Sequence, residues 1–193
     1  MTRSFCLPGS TQLSQSVDEK GSRPMHPNCE AVNDILQTAG LPGRVRMLDQ
    51  AATTAGAAAQ QLGCAVGAIA NSLIFETFIA TSAGVRERLK ETDAGAPLLI
   101  MTSGAHRVDM IKVGAQLGAE LRRASADFVR EHTGQPIGGV APVGHPQPIP
   151  TIVDRALAAF DQLWAAGGIP HAVFPLTYRE LLLLTGGREL DVN

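Results

Sequence analysis

Apolar and polar positions along this chain follow two periods, and the switches between them mark its elements. From Pro27 onward, Val32, Ile35, Leu36 and Ala39 recur at helical spacing, the pattern of a helix with one face in a core. Asn28 stands where an N-cap belongs, and Gly40 lies just past the end. Arg44-Val45-Arg46-Met47-Leu48 then alternates as a strand does. Thr53 is placed to cap an alanine-rich helix that runs to Leu62 and stops at Gly63, and Cys64 to Ala70 reads as another short helical turn.

The middle of the chain is richer in strand signals. Ser72 to Ala80 is dense in Leu, Ile, Phe and Thr and predicts a strand. Ser82 to Asp93 is charged and contains Gly84, a hairpin excursion or a short surface helix. Pro97 to Thr102, PLLIMT, reads as a buried strand returning from it. Asp109 to Leu117 predicts a helix closed by Gly118, and Ser125 caps another through His132 with Gly134 beyond. A glycine- and proline-rich loop then leads into an apolar strand ending at Asp154. A short helix near Ala156 to Phe160 and strands near Leu163 to Ala166 and Ala172 to Leu176 follow. The last helix opens on a capping box, Thr177-Tyr178-Arg179-Glu180, and ends at Gly186-Gly187. Strands and helices interleave without βαβ regularity and without an internal repeat. The predicted fold is α/β in the α+β sense, a mixed, curved sheet flanked by helices.

Composition narrows the picture. The 193 residues fit one domain, expected over residues 26–193, preceded by a flexible extension over residues 1–25 that is rich in Ser, Gln and charge. Hydrophobic residues make up 45% and aromatics only 4%, so aliphatic side chains must fill most of the core. A formal net charge of -2 argues against a tight electrostatic grip on a nucleic-acid duplex, while leaving room for contact with one RNA end. The three cysteines, Cys6, Cys29 and Cys64, form no CxxC pair, which fits a reduced compartment and no zinc site. No apolar stretch is long enough for a membrane span, and no secretory leader is visible. The expected location is the cytoplasm.

The candidate chemistry centres on Gly138-Gly139-Val140-Ala141-Pro142-Val143-Gly144-His145. Glycine permits close backbone approach and proline stiffens the chain, so such a loop can offer backbone N–H groups to a carbonyl oxygen or oxyanion. Other motifs are missing. There is no GxxxxGK[ST], and Gly138-Gly139 lacks dinucleotide-binding spacing. Ser103-Gly104-Ala105-His106 sets a serine near a histidine but reads as a turn after a strand. The histidines at 26, 106, 132, 145 and 171 show no metal-binding spacing.

Five segments in order carry a resemblance: Ala70-Asn71-Ser72-Leu73-Ile74-Phe75, SGAHRVD at 103–109, GGVAPVGH at 138–145, PIPTIVD at 148–154 and HAVFP at 171–175. On these the chain resembles the YbaK/EbsC family, the YbaK and prolyl-tRNA synthetase-associated domain, over about residues 30 to 190. The glycine loop followed by the PIPTIVD run is the specific part. The resemblance implies a barrel-like mixed sheet and an aminoacyl-tRNA deacylase that hydrolyses the ester of a mischarged tRNA, typically tRNA-Pro carrying a small wrong amino acid. It implies contact with the 3′ end of aminoacyl-tRNA, with prolyl-tRNA synthetase as a candidate partner, and involves neither membrane nor DNA. No metal and no cofactor are expected, because an aminoacyl ester is already activated.

The site expected from the resemblance has Asn71, Gly138, Gly139 and His145 in catalysis. Ser103, His106, Ala141, Pro142, Gly144, Asp154 and His171 are expected around the substrate. Asn71 stands where many family members carry a lysine; it donates hydrogen bonds but neutralises no charge. Arg107 and Lys112 are the candidates to supply that charge. A binding module that has lost the lysine and no longer turns over is the alternative to a deacylase. Single residues also keep two readings. His145 is either a ligand or proton carrier or an exposed loop residue. Asp154 either lines the pocket or holds backbone N–H groups in place, and His171 either meets substrate or is structural.

Overall fold

The computed structural model describes residues 25–42, 44–79 and 95–193. The expected extension over residues 1–25, apart from Met25, and the Ser82–Asp93 excursion lie outside the described residues. The helices are α1 (Pro27–Thr38), α2 (Ala55–Leu62), α3 (Met110–Leu117), α4 (Ala126–Thr133) and α5 (Tyr178–Thr185). The strands are β1 (Arg46–Met47), β2 (Ile69–Ile79), β3 (Ala96–Ser103), β4 (Ala119–Arg123), β5 (Thr151–Asp154), β6 (Leu163–Ala166), β7 (Ala172–Leu176) and β8 (Arg188–Leu190). Single 3-10 turns at Val66–Ala68 and Arg155–Ala159 precede β2 and follow β5.

All eight strands form one mixed sheet in the order β1-β7-β6-β2-β3-β5-β8, with β4 paired to β2 beside that path. The predicted α+β architecture is the one observed. β2 is the hub. It runs antiparallel to β3 along most of its length, from Ala70↔Ser103 to Thr77↔Ala96. Its other edge carries β6, parallel, at Ile69↔Trp164 and Ala70↔Ala165, and then β4, antiparallel, from Phe75↔Arg123 to Ile79↔Ala119.

The sheet is covered on both faces, which explains the unbroken apolar run in β3. Leu99 and Met101 enter the main core with Val32 and Leu36 of α1, Val153, Leu163, Phe174 and Leu181. The alternate residues Leu98 and Ile100 join Phe75, Val113 of α3, Leu121, Ile152 and Leu190 on the other face. A third cluster seats α2 on Ile69, Trp164 and Val173 through Ala58 and Ala59. Each large side chain buried in this way contributes about 1.5–3 kcal/mol relative to exposure.

Several predicted boundaries move, each for a local reason. His26, not Asn28, caps α1, accepting from Asn28 N at 3.1 Å with Pro27 in the first turn. Asn28 instead donates from Nδ2 to Gly168 O at 3.1 Å, tying the helix to the β6–β7 turn. Thr54 rather than Thr53 caps α2, accepting from Ala57 N. Only Arg46 and Met47 of the predicted Arg44–Leu48 strand enter the ladder, and the predicted turn over Cys64–Ala70 gives way to β2 at Ile69. β4 (AELRR) and β8 (REL) carry too little apolar alternation to be read from sequence; each exists because a neighbouring strand offers it an edge. The capping box of α5 is formed as predicted, Thr177 Oγ1 accepting from Glu180 N and Glu180 Oε2 from Thr177 N.

Candidate active site

A cavity of about 780 Å³ opens beside the first half of β2. Its walls come from the Ala52–Gly56 approach to α2, β2 residues Ile69–Phe75, Gly104 and Arg107 after β3, the end of β4, the Ile137–Val140 loop and strands β6 and β7. Its apolar wall mixes larger residues such as Ile69, Phe75 and Trp164 with small ones, Ala55 and Ala58 from α2, Ala165 and Ala166 from β6 and Ala172 from β7. The alanine-rich helix thus leaves volume open where longer residues would fill it. Trp164 adds a flat aromatic surface, and Arg46 lies over its ring at 5.5 Å from the centroid. Among the described residues the charged ones of the lining are Arg107 and Arg123, with no carboxylate.

Two of the expected site residues reach this lining, Asn71 and Gly138. Asn71 sits on β2 opposite Thr102 of β3. Gly138 is the third residue of a turn closed by Gly139 N donating to Pro136 O at 2.9 Å, with φ of +83° at Gly138. That is a type II turn, whose third position favours glycine because an L side chain is strained there. Gly139 is pressed against the opposite segment: a Cβ there would stand 2.4 Å from Ile169 C and 2.5 Å from Ile169 Cα. The Gly138-Gly139 pair therefore does two different jobs, a turn and a close approach. The N–H groups of Gly138 and Val140, both in the lining, have no hydrogen-bond partner among the described residues.

The rest of the loop is organised inward. Gln135, 2% exposed, accepts from Ala141 N at 2.6 Å and donates from Nε2 to Val143 O at 3.3 Å. His145 Nε2 closes back on Ala141 O at 2.9 Å. Ala141 is fully buried with both backbone groups committed, and Pro142 is buried beside it. Burial lowers the His145 pKa from the ordinary 6.5, outweighing the hydrogen bond to Ala141 that would raise it. The imidazole is accordingly held neutral, with Nε2–H donating to the carbonyl. Gly144 at φ +85° gives the loop its second reversal, packed near Gln135. None of Ala141, Pro142, Gly144 and His145 is in the cavity lining.

Asp154 organises the wall at the end of β3. It is 1% exposed. Its Oδ2 accepts from Ser103 N at 3.1 Å, Thr102 Oγ1 at 3.3 Å and His106 Nδ1 at 2.9 Å, and its Oδ1 from Ala156 N at 3.1 Å. Ser103 Oγ donates to Gly67 O at 2.9 Å. Ser, His and Asp thus converge without a nucleophile relay, because the carboxylate meets the serine backbone and the hydroxyl is spent on Gly67. Of the two readings left open for Asp154, the one in which it holds backbone N–H groups matches this geometry, although the N–H groups are those of the Ser103 turn rather than the glycine loop. Ser103, His106 and Asp154 stand behind the lining residues Gly104 and Arg107. His171 is exposed, and its carbonyl accepts from Leu48 N at 2.6 Å.

Arg107 faces the cavity, whereas Lys112 Nζ donates to Asn193 O at 2.6 Å, away from it. Arg123 joins Arg107 in the lining, a residue sequence reading passed over because β4 had no visible strand signal. Gln135 was missed too, since a buried glutamine in a loop has no periodic signature.

The fold and site are those of a mixed-sheet domain with a cavity lined by two arginines and by the Gly138 turn. Residues 49–184 match the model of the aminoacyl-tRNA editing domain, and the chain belongs to that family. A protein proposed as a trans-editing enzyme for prolyl tRNA synthetase has a crystal structure that superimposes with a TM-score of 0.74 at 37% identity, covering 88% of this chain and 98% of that one. The crystal structure of hypothetical protein APE2540 gives 0.71 at 28% identity, covering 84% and 98%. The uncharacterized protein YwhH of Bacillus subtilis (strain 168) is 27% identical over 137 residues, 71% of this chain and 78% of its own.

Proposed function

We propose that this chain is an aminoacyl-tRNA deacylase that acts in trans in the cytoplasm on tRNA-Pro carrying a small wrong amino acid, with prolyl-tRNA synthetase as the partner whose errors it corrects. The carrying observation is the cavity itself: Asn71, the Gly138 turn and two arginines line one volume of about 780 Å³ whose α2, β6 and β7 sides carry alanines. A cavity of this kind suits a short side chain on an ester, with the arginines toward the phosphates of the RNA end.

The reaction needs no protein nucleophile. The ester carbonyl carbon is attacked by water, or first by a hydroxyl or thiol of the substrate itself. In the hydrolytic route water oxygen bonds to that carbon, the bond to the ribose oxygen breaks, and the released ribose oxygen takes a proton. The products are a free amino acid and an uncharged tRNA end. As the carbonyl oxygen gains charge, the Asn71 side-chain amide and the Gly138 N–H donate to it; losing one such donor costs about 3 kcal/mol of transition-state stabilisation. Gly139 positions the turn by its contact with Ile169. His145 and Gln135 position the loop, and Ser103, His106 and Asp154 position the segment that carries Arg107.

Asn71 in place of lysine favours the second reading, a module that binds aminoacyl-tRNA without turnover. Amino-acid release from tRNA-Pro charged with alanine, cysteine, serine, 2-aminobutyrate or proline separates the two. Multiple turnovers on a mischarged species with proline spared, and a loss of tenfold or more in Asn71→Ala, support the deacylase. Protection of every ester without turnover by a folded protein overturns it in favour of the module.

A further inference from the structure

We infer that the open stretch of the β2 edge is the cradle for the aminoacyl group, which lies there as a single residue of a parallel strand would. This deepens the deacylase reading and rests on it. The β6 ladder on that edge ends at Ala70↔Ala165, and the β4 ladder begins at Phe75↔Arg123. Between them the edge has no strand partner among the described residues, and Asn71, Ser72, Leu73 and Ile74 all line the cavity.

The direction of the backbone groups follows from the ladder on the other side. Gly104 N donates to Ile69 O at 2.8 Å, so the odd-numbered residues of β2 turn their N–H and C=O toward β3. The even-numbered ones turn theirs toward the β6–β4 edge. Ser72 therefore presents its N–H and C=O, and Ile74 its N–H, into the gap, and no described residue pairs with them. A carbonyl at one residue and an N–H two residues on are what one residue of a parallel neighbour would bond. An aminoacyl ester carries that same pair of complementary groups, an ammonium donor and a carbonyl acceptor on adjacent carbons.

The cavity's charges point the same way. Among the described residues its lining holds two arginines and no carboxylate, so an α-ammonium entering it has neutral acceptors there. The Ser72 carbonyl is one already facing the space. The ammonium donates to the Ser72 carbonyl, and the substrate carbonyl accepts from Ile74 N–H on the strand side while the Gly138 turn faces it from the loop. This arrangement makes the free α-amine, rather than the side chain alone, a requirement for binding.

The test is backbone amide exchange by NMR on the full chain, with 3′-alanylamino-3′-deoxyadenosine as a non-hydrolysable probe and its 3′-propionylamino counterpart lacking the amine. In the free protein, the Ser72 and Ile74 amides should exchange faster than those of Leu73 and Phe75. Adding the alanyl probe should slow Ile74 exchange at least tenfold, and the propionyl probe should bind about ten- to a hundredfold more weakly. Four results overturn the inference. Slow exchange at Ser72 and Ile74 in the free protein removes the gap. Binding that perturbs Asn71 and Gly138 but leaves Ile74 unchanged sinks the cradle and leaves the deacylase standing. Equal affinity for the two probes overturns the cradle, since no acceptor then holds the amine, and leaves the deacylase standing. No binding of the alanyl probe anywhere in the cavity overturns the cradle and the deacylase together.

Discussion

Replacing Asp154 by asparagine changes one atom in a fully enclosed carboxylate and should cost far more than its size suggests. Four donors converge on the two oxygens, three of them on Oδ2. An asparagine has one acceptor oxygen. If it faces the three donors, its amide N–H₂ meets the Ala156 N–H, leaving a buried donor unpaired at about 1–3 kcal/mol. The three remaining bonds also drop from charge-assisted to neutral, roughly halving each. Halving three charge-assisted bonds adds about 2–4 kcal/mol, so the sum is about 3–7 kcal/mol; in a chain of this size each kcal/mol lowers Tm by about 2–4 °C, and a fall of at least about 6 °C is expected. Trp164, the single tryptophan of the sequence and a wall of the cavity, reports unfolding by fluorescence. Thr102→Val removes one donor and leaves Asp154 three, so it should cost about 1 kcal/mol, the net worth of an ordinary hydrogen bond. Deacylation by the asparagine variant, assayed well below its Tm, should fall as well, because the Ser103–His106 turn carries Arg107 into the cavity. A variant within 1 °C of wild type, or one no less stable than Thr102→Val, would refute the account of Asp154 as an organising carboxylate.

Three further outcomes are expected. Gly139→Ala forces a methyl group into the Ile169 backbone and should destabilise by about 1–3 kcal/mol, whereas Gly138→Ala has contacts no nearer than 3.6 Å and should suffer mainly from strain at positive φ, about 1–2 kcal/mol; asparagine tolerates positive φ better than alanine, so recovery of part of the loss in Gly138→Asn, but none in Gly139→Asn, would separate the two causes. His145 binds its proton more weakly when folded, so the unfolded chain holds more protons below the ordinary value of 6.5 and stability should rise with pH across that region. In His145→Gln that contribution disappears, and urea unfolding at pH 5.5 and 7.5 should show a smaller difference than wild type; an unchanged difference would rule the residue out as its source. Arg107→Gln and Arg123→Gln should each lower kcat/KM on a mischarged tRNA tenfold or more and flatten its dependence on salt, and full activity in both would remove the arginines from RNA binding.

Much of the fold was legible because it depends on local rules. The helices ending at Gly63, Gly118, Gly134 and Gly186 stop at left-handed glycines that the sequence displays. The strands at Leu163–Ala166 and Ala172–Leu176 and the capping box of α5 match their predicted limits, since each has strong apolar content or a paired cap. β4 and β8 were invisible because their pairing comes from distant partners rather than from their own side chains. The family signature was likewise written in the chain, as the glycine loop and the PIPTIVD run.

The sequence alone therefore determined the element types apart from β4 and β8, the class of sheet and four segments that reach the cavity. Tertiary structure decided which residues of those segments line the cavity. Gly138 and Gly139 are neighbours, yet one lines the cavity and the other is wedged against Ile169. His145 and Asp154 look like chemistry in the sequence, but one is folded back on Ala141 and the other buried under four donors. Arg123 enters the site only because β4 joins β2 at Phe75, and the open edge at Ser72 and Ile74 exists only because β6 stops at Ala70. Side-chain direction and ladder length depend on partners far away in sequence, and a local pattern carries no record of them.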